Sequence, residues 1–306
     1  MKYYDLPKTD LKVSEIALCC MRIADKSIEE VEELVKTALD CGINFFDHAD
    51  IYGGGKSEEL FGQVLEKHPE YREKMIIQTK CAIVPGKRYD FSKEYIINAV
   101  NGSLKRLHTD HVEILLLHRP DALCDPQEVA EAFDELYVSG KVKYFGVSNH
   151  TPGQIALLQK YTKHPIIINQ LQLSIVHSVM IDSGMNMNMK EDFAIDKDGG
   201  VLDYCRLNDI TIQAWSIVQA SWAEGTFLNH PDYKKLNNVL DDLAKKYNVT
   251  PATIATAWIL RHPAHIQAIT GTTSPKHLIE TAEAANIELT RQEWYDLYLA
   301  SGKPLP

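Results

Sequence analysis

The chain has 306 residues, of which 45% are hydrophobic and 24% are charged. This composition is ordinary for a globular protein with a sizeable core, and it excludes a disordered chain and a coiled coil. The 42 acidic residues outnumber the 32 Lys and Arg residues, and the formal net charge of −10 gives no general electrostatic footprint for nucleic acid. At about 150 residues per domain the length allows two domains, although a single (β/α)8 barrel also fills it.

The sequence has no apolar run of the roughly 18 residues that a membrane-spanning helix needs, and its start lacks the apolar region of a signal peptide. We therefore expect a cytoplasmic protein with no membrane partner. The cysteines show neither a CxxC motif nor zinc-ligand spacing, which predicts reduced thiols and no metal site. They are Cys19, Cys20, Cys41, Cys81, Cys124 and Cys205.

The first predicted helix has a capping-box pattern. Ser27 is followed three residues later by Glu30, and Gly42 comes directly after Cys41, so that a helix is predicted from Ser27 through Cys41. Residues 43–46 are then predicted to form a buried strand, because β-branched and aromatic residues follow directly on the end of the helix.

The same pairing of strand and helix recurs along the rest of the chain. Further apolar runs predict strands at residues 74–80, 111–118, 142–147, 166–170, 210–215 and 266–269. Capping residues, most of them followed by the proline that suits the first helical position, predict helix starts near Ser92, Asp125, Thr151, Thr250 and Ser274.

These strands are near-continuous apolar runs, which is typical of a parallel sheet covered by helices. Seven clear units, with an eighth strand expected between Cys41 and Lys74 or hidden at the start, fit a closed (β/α)8 TIM barrel better than an open sheet. An N-terminal β-hairpin that pairs residues 2–4 with residues 13–16 is expected to cap the barrel floor, and an extra helix is expected at the C-terminus. No linker-like stretch interrupts the chain, which predicts one domain over residues 1–306.

The polar stretch from Met185 to Gly200 breaks this regularity. Its composition is that of a loop, and it follows a predicted strand. We expect either a segment that covers the substrate or a disordered surface insertion.

Polar side chains stand at the ends of several predicted strands. In a parallel α/β barrel, chemistry lies at the carboxyl ends of the strands, where the loops converge. Asp47, Lys80 and His118 lie at three such ends, and Tyr52 follows in the loop after Asp47. A lysine held charged by Asp47 is expected to lower the pKa of the Tyr52 phenol and make it a general acid near neutral pH. His118 would orient or polarise a carbonyl oxygen.

These motifs together resemble the aldo-keto reductase family, in the family's order and over nearly the whole chain. They are Phe46-Asp47-His48-Ala49-Asp50-Ile51-Tyr52-Gly53, Thr79-Lys80, Leu116-Leu117-His118-Arg119-Pro120-Asp121, Gly146-Val147-Ser148-Asn149 and Asn169-Gln170. Within the family the chain looks most like bacterial oxidoreductases, which it also matches in its last helix, from Leu289 to Trp294. The resemblance implies a (β/α)8 barrel that transfers a hydride from a nicotinamide cofactor to an aldehyde or ketone. The implied cofactor is NADPH, with NADH as the alternative.

The resemblance also implies roles for individual residues. Asp47, Tyr52, Lys80 and His118 match the catalytic tetrad, with Tyr52 as the proton donor. Ser148, Asn149 and Gln170 match the residues that bind the nicotinamide carboxamide, and Trp215 stands where an aromatic ring stacks on the nicotinamide. Further cofactor contacts are implied for Met21, Arg22, Ser216, Gly271, Thr272, Thr273, Ser274, His277 and Glu280.

The match departs from the family pattern at the end of the site that would hold the adenosine. Gly271 and His277 stand where many members have Lys or Arg, and a histidine does not replace a permanently charged, bidentate arginine at pH 7. We therefore expect a weakened preference for NADPH. Backbone N–H groups at a helix N-terminus suit a phosphate there. Lys276 either compensates for the missing basic pair or is simply a solvated lysine.

Two other functions are compatible with these residues. His48, Asp50 and His118 would suit a metal-dependent barrel hydrolase. The other alternative is a non-catalytic regulatory protein that senses the nicotinamide cofactor on the same fold. The expected partner is a small-molecule carbonyl substrate, whose identity the sequence does not give, and the oligomeric state has no sequence signal.

Overall fold

The computed structural model describes residues 1–305, and within them eight parallel strands close into a barrel. The strands of the chain are β1 (Tyr3–Asp5), β2 (Lys12–Ser14), β3 (Ile16–Cys19), β4 (Phe45–Asp47), β5 (Ile76–Cys81), β6 (Ile83–Val84), β7 (Arg88–Tyr89), β8 (Val112–Leu117), β9 (Val142–Ser148), β10 (Ile166–Gln172), β11 (Thr211–Trp215), β12 (Gln219–Ser221), β13 (Gly225–Thr226) and β14 (Gln267–Thr270). The barrel follows the order β3-β4-β5-β8-β9-β10-β11-β14, and β14 pairs with β3 to close it.

Helices surround the barrel. They are α1 (Ile28–Asp40), α2 (Lys56–Lys67), α3 (Pro69–Arg72), α4 (Lys93–Arg106), α5 (Pro126–Val138), α6 (Pro152–Tyr161), α7 (Val179–Met185), α8 (Val201–Leu207), α9 (Lys234–Tyr247), α10 (Pro251–Leu260), α11 (Pro275–Ala282) and α12 (Arg291–Ala300). Short 3-10 helices span Tyr52–Gly55, Asp192–Ala194, Pro231–Tyr233 and Glu283–Asn286. The predicted (β/α)8 barrel is therefore confirmed.

The helix starts follow from local capping chemistry. Ser27 caps α1, and its side chain and that of Glu30 form the reciprocal capping box predicted from the sequence. The predicted caps of five later helices also accept a hydrogen bond from a backbone N–H in the first turn. These caps are Ser92, Asp125, Thr151, Thr250 and Ser274.

The eighth barrel strand is the one hidden at the start of the chain. Strand β3 runs from Ile16 to Cys19. The hairpin predicted to include residues 13–16 therefore wrongly takes in Ile16, which is the first residue of a barrel strand. The hairpin instead pairs β1 with β2 and ends at Ser14. Leu6 and Val13 of this hairpin region are buried against the lower barrel interior, where they close the floor. The short span between the two elements explains why the pattern merged them.

The barrel interior is largely apolar near the floor and polar near the carboxyl ends of the strands. Phe45, Ile76 and Ile114 belong to the apolar cluster inside the barrel. A larger apolar cluster fills the space between barrel and helices. The polar upper interior is unusual for a barrel core, which branched aliphatic side chains normally fill. This polar end of the barrel is therefore the candidate location of the functional site.

The C-terminal segment packs back onto the barrel. Trp294 of α12 stacks on Trp258 at 4.7 Å between ring centroids, and each indole N–H donates to the other residue's carbonyl oxygen. Further along, the buried Lys303 donates to the Ile175 carbonyl oxygen and the Ser178 hydroxyl. The tail thus holds the loop after β10, which leads through α7 into the stretch 185–200. The role of that stretch as a substrate cover stays a prediction.

Within residues 1–305 no helix combines the length and the apolar character that crossing a membrane would require.

Candidate active site

Four titratable side chains meet at the carboxyl end of the barrel. The Lys80 Nζ atom lies 2.8 Å from the Asp47 Oδ2 atom and 3.0 Å from the Tyr52 hydroxyl oxygen, and it also donates to the His48 carbonyl oxygen at 2.8 Å. The Tyr52 and His118 rings meet edge to face with centroids 5.9 Å apart. The structure therefore brings together all four residues that the family resemblance places in the tetrad.

The geometry around Lys80 is set by two neighbouring parallel strands. Asp47 ends β4 and pairs in register with Gln78 of β5, so that Lys80 stands two residues further along on the same inward face. Tyr52 follows Asp47 by five residues, in the 3-10 turn that begins after the strand. Lys80 is fully buried and Asp47 is 1% exposed, so the ion pair is shielded from water.

Asp47 is held as a carboxylate by several donors. Its Oδ1 atom accepts hydrogen bonds from the Nε2 atoms of Gln78 at 2.6 Å and of Gln170 at 3.0 Å. Burial by itself would raise the pKa of Asp47, but the Lys80 ammonium and the two amide donors outweigh it and lower the pKa below its ordinary value. Asp47 is therefore ionised at neutral pH.

His118 is neutral. Burial, reinforced by the nearby Lys80 ammonium, lowers the pKa of His118 to about 3. Its Nδ1 atom is buried and has no hydrogen-bond partner within residues 1–305. A neutral imidazole beside the Tyr52 hydroxyl can hydrogen-bond a carbonyl oxygen without adding a charge.

The expected lowering of the Tyr52 pKa is wrong for this structure. The pKa of Tyr52 lies well above its ordinary value because burial disfavours the phenolate and because Cys19 and the Asp47 charge act in the same direction. The Lys80 ammonium does not reverse this. The phenol is consequently protonated at neutral pH, which is the form that a general acid requires. Since the Tyr52 oxygen accepts from Lys80, its own hydrogen is available for another acceptor.

Cys19 is a neighbour of the tetrad that the sequence did not single out. It ends β3 opposite Asp47 in the β3-β4 pairing, and burial raises its own pKa to about 12. The next residue, Cys20, is 1% exposed. The half-buried Cys19, which interacts with Tyr52 and Asp47, is the thiol that faces the tetrad.

The four residues matched to the nicotinamide end also lie together. Asn149 donates to the Ser148 hydroxyl at 2.7 Å, and the Trp215 indole donates to the Asn149 side-chain oxygen at 3.3 Å. The Ser148 hydroxyl in turn donates to the Gln170 carbonyl oxygen at 3.0 Å. Asn149 and Ser216 both have left-handed backbones, with φ of 60° and 58°. Such strained positions cluster at binding sites.

The residues matched to the adenosine end lie directly before α11 and in its first turns. Gly271, Thr272, Thr273 and Ser274 are half-buried, and the Ser274 hydroxyl caps the helix by accepting from the His277 backbone N–H at 3.4 Å. That N–H is therefore committed to the cap. Lys276 is exposed and lies 3.8 Å from Glu280 one turn later. Met21 is half-buried and Arg22 exposed, directly after β3 at the carboxyl end of the barrel.

Three further polar residues in this interior were missed. Gln78, Gln213 and Gln267 are fully buried and lie within strands that the sequence pattern treated as apolar runs. The signal was present, since a glutamine inside an Ile-rich strand must find a buried partner. The neighbouring isoleucines dominate the apolar pattern of each strand and mask the single glutamine.

The residues of the hydrolase alternative do not form one site. His48 is fully buried, with its ring edge against Phe61 at 4.4 Å between centroids. Within residues 1–305 no three His, Cys, Asp or Glu side chains are grouped as a set of metal ligands.

Comparison with known proteins agrees with this architecture. A sequence model of the Aldo/keto reductase family matches residues 16–298. A 6-dehydroglucose reductase of Novosphingobium aromaticivorans is 35% identical over 99% of this chain and 97% of its own length, and the oxidoreductase YdhF of Escherichia coli is 34% identical over 90% and 88%. The solved structure of the thermostable aldo-keto reductase Tm1743, in complex with the inhibitor epalrestat, matches with a TM-score of 0.79 at 27% identity, covering 98% of this chain and all of that one.

The chain belongs to the aldo/keto reductase family, and it is an oxidoreductase.

Asp50 gives the site a pH-dependent stability. Burial and the neighbouring Glu58 raise the pKa of Asp50 to about 7, and its Oδ1 atom is buried without a hydrogen-bond partner within residues 1–305. Because the folded-state pKa is raised, the folded protein holds a proton that the unfolded chain has already lost, and Asp50 destabilises the fold as pH rises from about 4 through 7. We expect Asp50→Asn to stabilise the protein by about 1–3 kcal/mol at pH 8 and far less at pH 4.5.

Denaturant unfolding at the two pH values measures this difference, and Asp241→Asn, which changes an exposed aspartate, is the control. An equal effect of Asp50→Asn at both pH values would contradict the assignment.

Proposed function

We propose that the protein reduces an aldehyde or ketone with a nicotinamide cofactor, NADPH in the first place, and that Tyr52 donates the proton. The observation that carries the proposal is the position of the Lys80 ammonium, 3.0 Å from the Tyr52 hydroxyl oxygen and paired with the buried Asp47 carboxylate. A protonated phenol, a neutral imidazole and a buried cation at one strand end suit the reduction of a polarised carbonyl.

The residues present fit a nicotinamide cofactor. Ser148, Asn149 and Gln170 offer the donors and acceptors that a carboxamide needs, and Trp215 is half-buried beside Asn149 for stacking. Both N–H groups of the Gln170 side chain are used within the barrel, which leaves its Oε1 atom as an acceptor for an amide N–H. When bound, the cofactor supplies the hydride.

The protein's own residues then stabilise charge on the carbonyl oxygen. Tyr52 donates its hydroxyl hydrogen to that oxygen, and the oxygen of Tyr52 keeps its hydrogen bond from Lys80 as negative charge develops on the phenol. Asp47 holds Lys80 in place through the ion pair. His118, being neutral, orients the substrate through a hydrogen bond without repelling Lys80.

We propose further that the substrate is a hydrophilic carbonyl compound. The relative from Novosphingobium aromaticivorans is named for an oxidised sugar. In this chain Arg22 is exposed, and Arg119 and Asp50 are half-buried, around the carboxyl end of the barrel. Charged side chains at a site entrance favour substrates with hydroxyl groups over purely apolar aldehydes.

Replacement of Tyr52 tests the mechanism. Tyr52→Phe removes the proton donor and leaves the ring, so we expect turnover to fall by about 10²–10⁴-fold while the affinity for the reduced cofactor stays unchanged. NADPH oxidation with a panel of hydroxylated and apolar carbonyl compounds measures turnover, and cofactor fluorescence measures binding.

Tyr89→Phe, which removes an exposed phenol, is the matched control and should retain full turnover. In the wild type the hydroxylated compounds should give the higher kcat/KM. Unchanged turnover in Tyr52→Phe would overturn the role of Tyr52 as proton donor.

The adenosine end should discriminate weakly between cofactors. Ser274 caps α11, His277 replaces a basic residue, and Lys276 is solvated, so no bidentate guanidinium is available for a 2′-phosphate. We expect the NADPH preference over NADH to stay below about 10³-fold, equivalent to about 4 kcal/mol, and His277→Arg to raise it by about tenfold.

Fluorescence titrations of the wild type and of His277→Arg with NADPH and with NADH give the ratio of the two dissociation constants for each protein. A wild-type preference above about 10³-fold would contradict this assignment.

A further inference from the structure

Four buried glutamines form a hydrogen-bonded chain through the barrel interior, which we call the glutamine column: Gln78, Gln170, Gln213 and Gln267. At the floor, the Gln267 Nε2 atom donates to the Ser14 carbonyl oxygen at 2.7 Å. One step higher, the Gln213 Nε2 atom donates to the Gln267 Oε1 atom at 2.8 Å. Because these residues come from β11, β14 and the hairpin, the column links the floor to the middle of the barrel.

At its upper end the column reaches Asp47. The Gln213 Oε1 atom accepts from the Nε2 atoms of both Gln78 and Gln170, each at 2.9 Å. The second N–H of each of those amides donates to the Asp47 Oδ1 atom. Side chains of β5 and β10 thus meet at one carboxylate oxygen of Asp47, and the Gln213 amide oxygen joins β11 to both of them.

The polarity of the column is fixed from the floor upwards. The Ser14 carbonyl oxygen can only accept, so Gln267 must turn its NH2 group down and its oxygen up. Gln213 must then turn its NH2 group down as well, which presents its oxygen to the two upper amides. Gln78 keeps its NH2 group on Asp47 even though its own Oε1 atom is buried without a partner within residues 1–305.

We propose that Gln78, Gln213 and Gln267 are positioning residues, which hold the Asp47 carboxylate ionised and turn the Gln170 amide so that its oxygen faces out of the barrel. The part that concerns Gln170 rests on the proposed function, since that oxygen is the acceptor for the carboxamide. The part that concerns Asp47 stands on the geometry of the barrel alone.

The column matters because Asp47 sits among groups whose charges depend on it. The titratable groups that face it are Lys80, Tyr52, Cys19, Cys20, His48 and His118. Lys80 forms the ion pair with Asp47, and the burial of Asp47 would otherwise favour the protonated form of that carboxyl group. Two neutral amide donors stabilise the carboxylate without adding charge.

Carboxyl NMR tests the proposal directly. In protein carrying 13C-labelled aspartate, the Asp47 carboxyl signal, assigned with Asp47→Asn, reports its ionisation without cofactor or turnover. We expect the wild-type signal to remain that of a carboxylate from pH 8 down to the acid limit of the fold. Gln78→Met and Gln213→Met should move its titration midpoint up by about one pH unit or more, and Gln267→Met by less.

Ile114→Ala is the control for a barrel interior that is merely loosened, because Ile114 is fully buried in the apolar cluster and lies beside Gln78 in the β5-β8 pairing, while its aliphatic side chain makes no hydrogen bond in the column. In Ile114→Ala the Asp47 signal should remain that of a carboxylate over the same pH range as in the wild type. An unchanged midpoint in folded Gln78→Met and Gln213→Met, or an equal rise in Ile114→Ala, would overturn the proposal. If Gln213→Met does not fold, Gln78→Met and Gln267→Met carry the same test.

The Gln170 part has its own readout. Gln213→Met should weaken binding of NADPH by about 3–10-fold and leave binding of 2′,5′-ADP, which lacks the nicotinamide, unchanged. Equal losses for both ligands, or no loss for either, would overturn that part. A wild type that reduces no carbonyl compound would refute the proposed function, whereas the Asp47 midpoints would still decide whether the column holds the carboxylate.

Discussion

The buried ion pair between Lys80 and Asp47 is the constraint on which the rest of the site depends. Moving two charges out of water costs several kcal/mol for each, and their attraction offsets this only when the remaining donors and acceptors are also satisfied. Both residues are almost entirely buried. Asp47 accepts hydrogen bonds from the Gln78 and Gln170 amides, and Lys80 donates to the His48 carbonyl oxygen and the Tyr52 hydroxyl. Such a pair is weak evidence for stability and strong evidence that a charge is needed in that place.

That need explains why the barrel interior is apolar near the floor and polar near the carboxyl ends of the strands. Near the floor, apolar side chains fill the interior as in other barrels of this type. Higher up, amide side chains replace them, because a carboxylate surrounded by aliphatic groups would become protonated. The column of glutamines is therefore a consequence of placing Asp47 inside the barrel. It carries the polar environment from the ion pair down to the Ser14 carbonyl oxygen, and among the described residues 1–305 the buried Gln78 Oε1 atom has no hydrogen-bond partner.

The sequence predicted the parts of the molecule that are governed by local chemistry. The caps at Ser27, Thr151 and Ser274 were readable because the same residues make the hydrogen bonds that start each helix. The strand Ile16–Cys19 was located only as one of two alternatives, because its four residues follow the hairpin after a single residue and carry no turn signal of their own. The barrel itself was confirmed.

The sequence predicted which residues come together in the site, but not the direction of the Tyr52 pKa shift. Strand ends and the family resemblance picked out Asp47, Tyr52 and Lys80, which do come together. The direction of the Tyr52 pKa was wrong, because burial is a property of the whole fold and outweighs a single nearby cation. The sequence showed Gln78, Gln213 and Gln267 only as isolated polar residues in apolar runs, because their partners lie on strands far away in the sequence.

The interaction between Lys80 and Asp47 can be measured most directly with a double-mutant cycle on the free energy of unfolding. Lys80→Met leaves a buried carboxylate without its cation, and Asp47→Asn leaves a buried ammonium without its anion, so each single variant should lose about 3–5 kcal/mol. The double variant lacks both charges of this pair and should be more stable than either single variant, with a coupling energy of about 2 kcal/mol or more. Additive losses in the double variant would contradict the claim that this pair is the constraint around which the site is built.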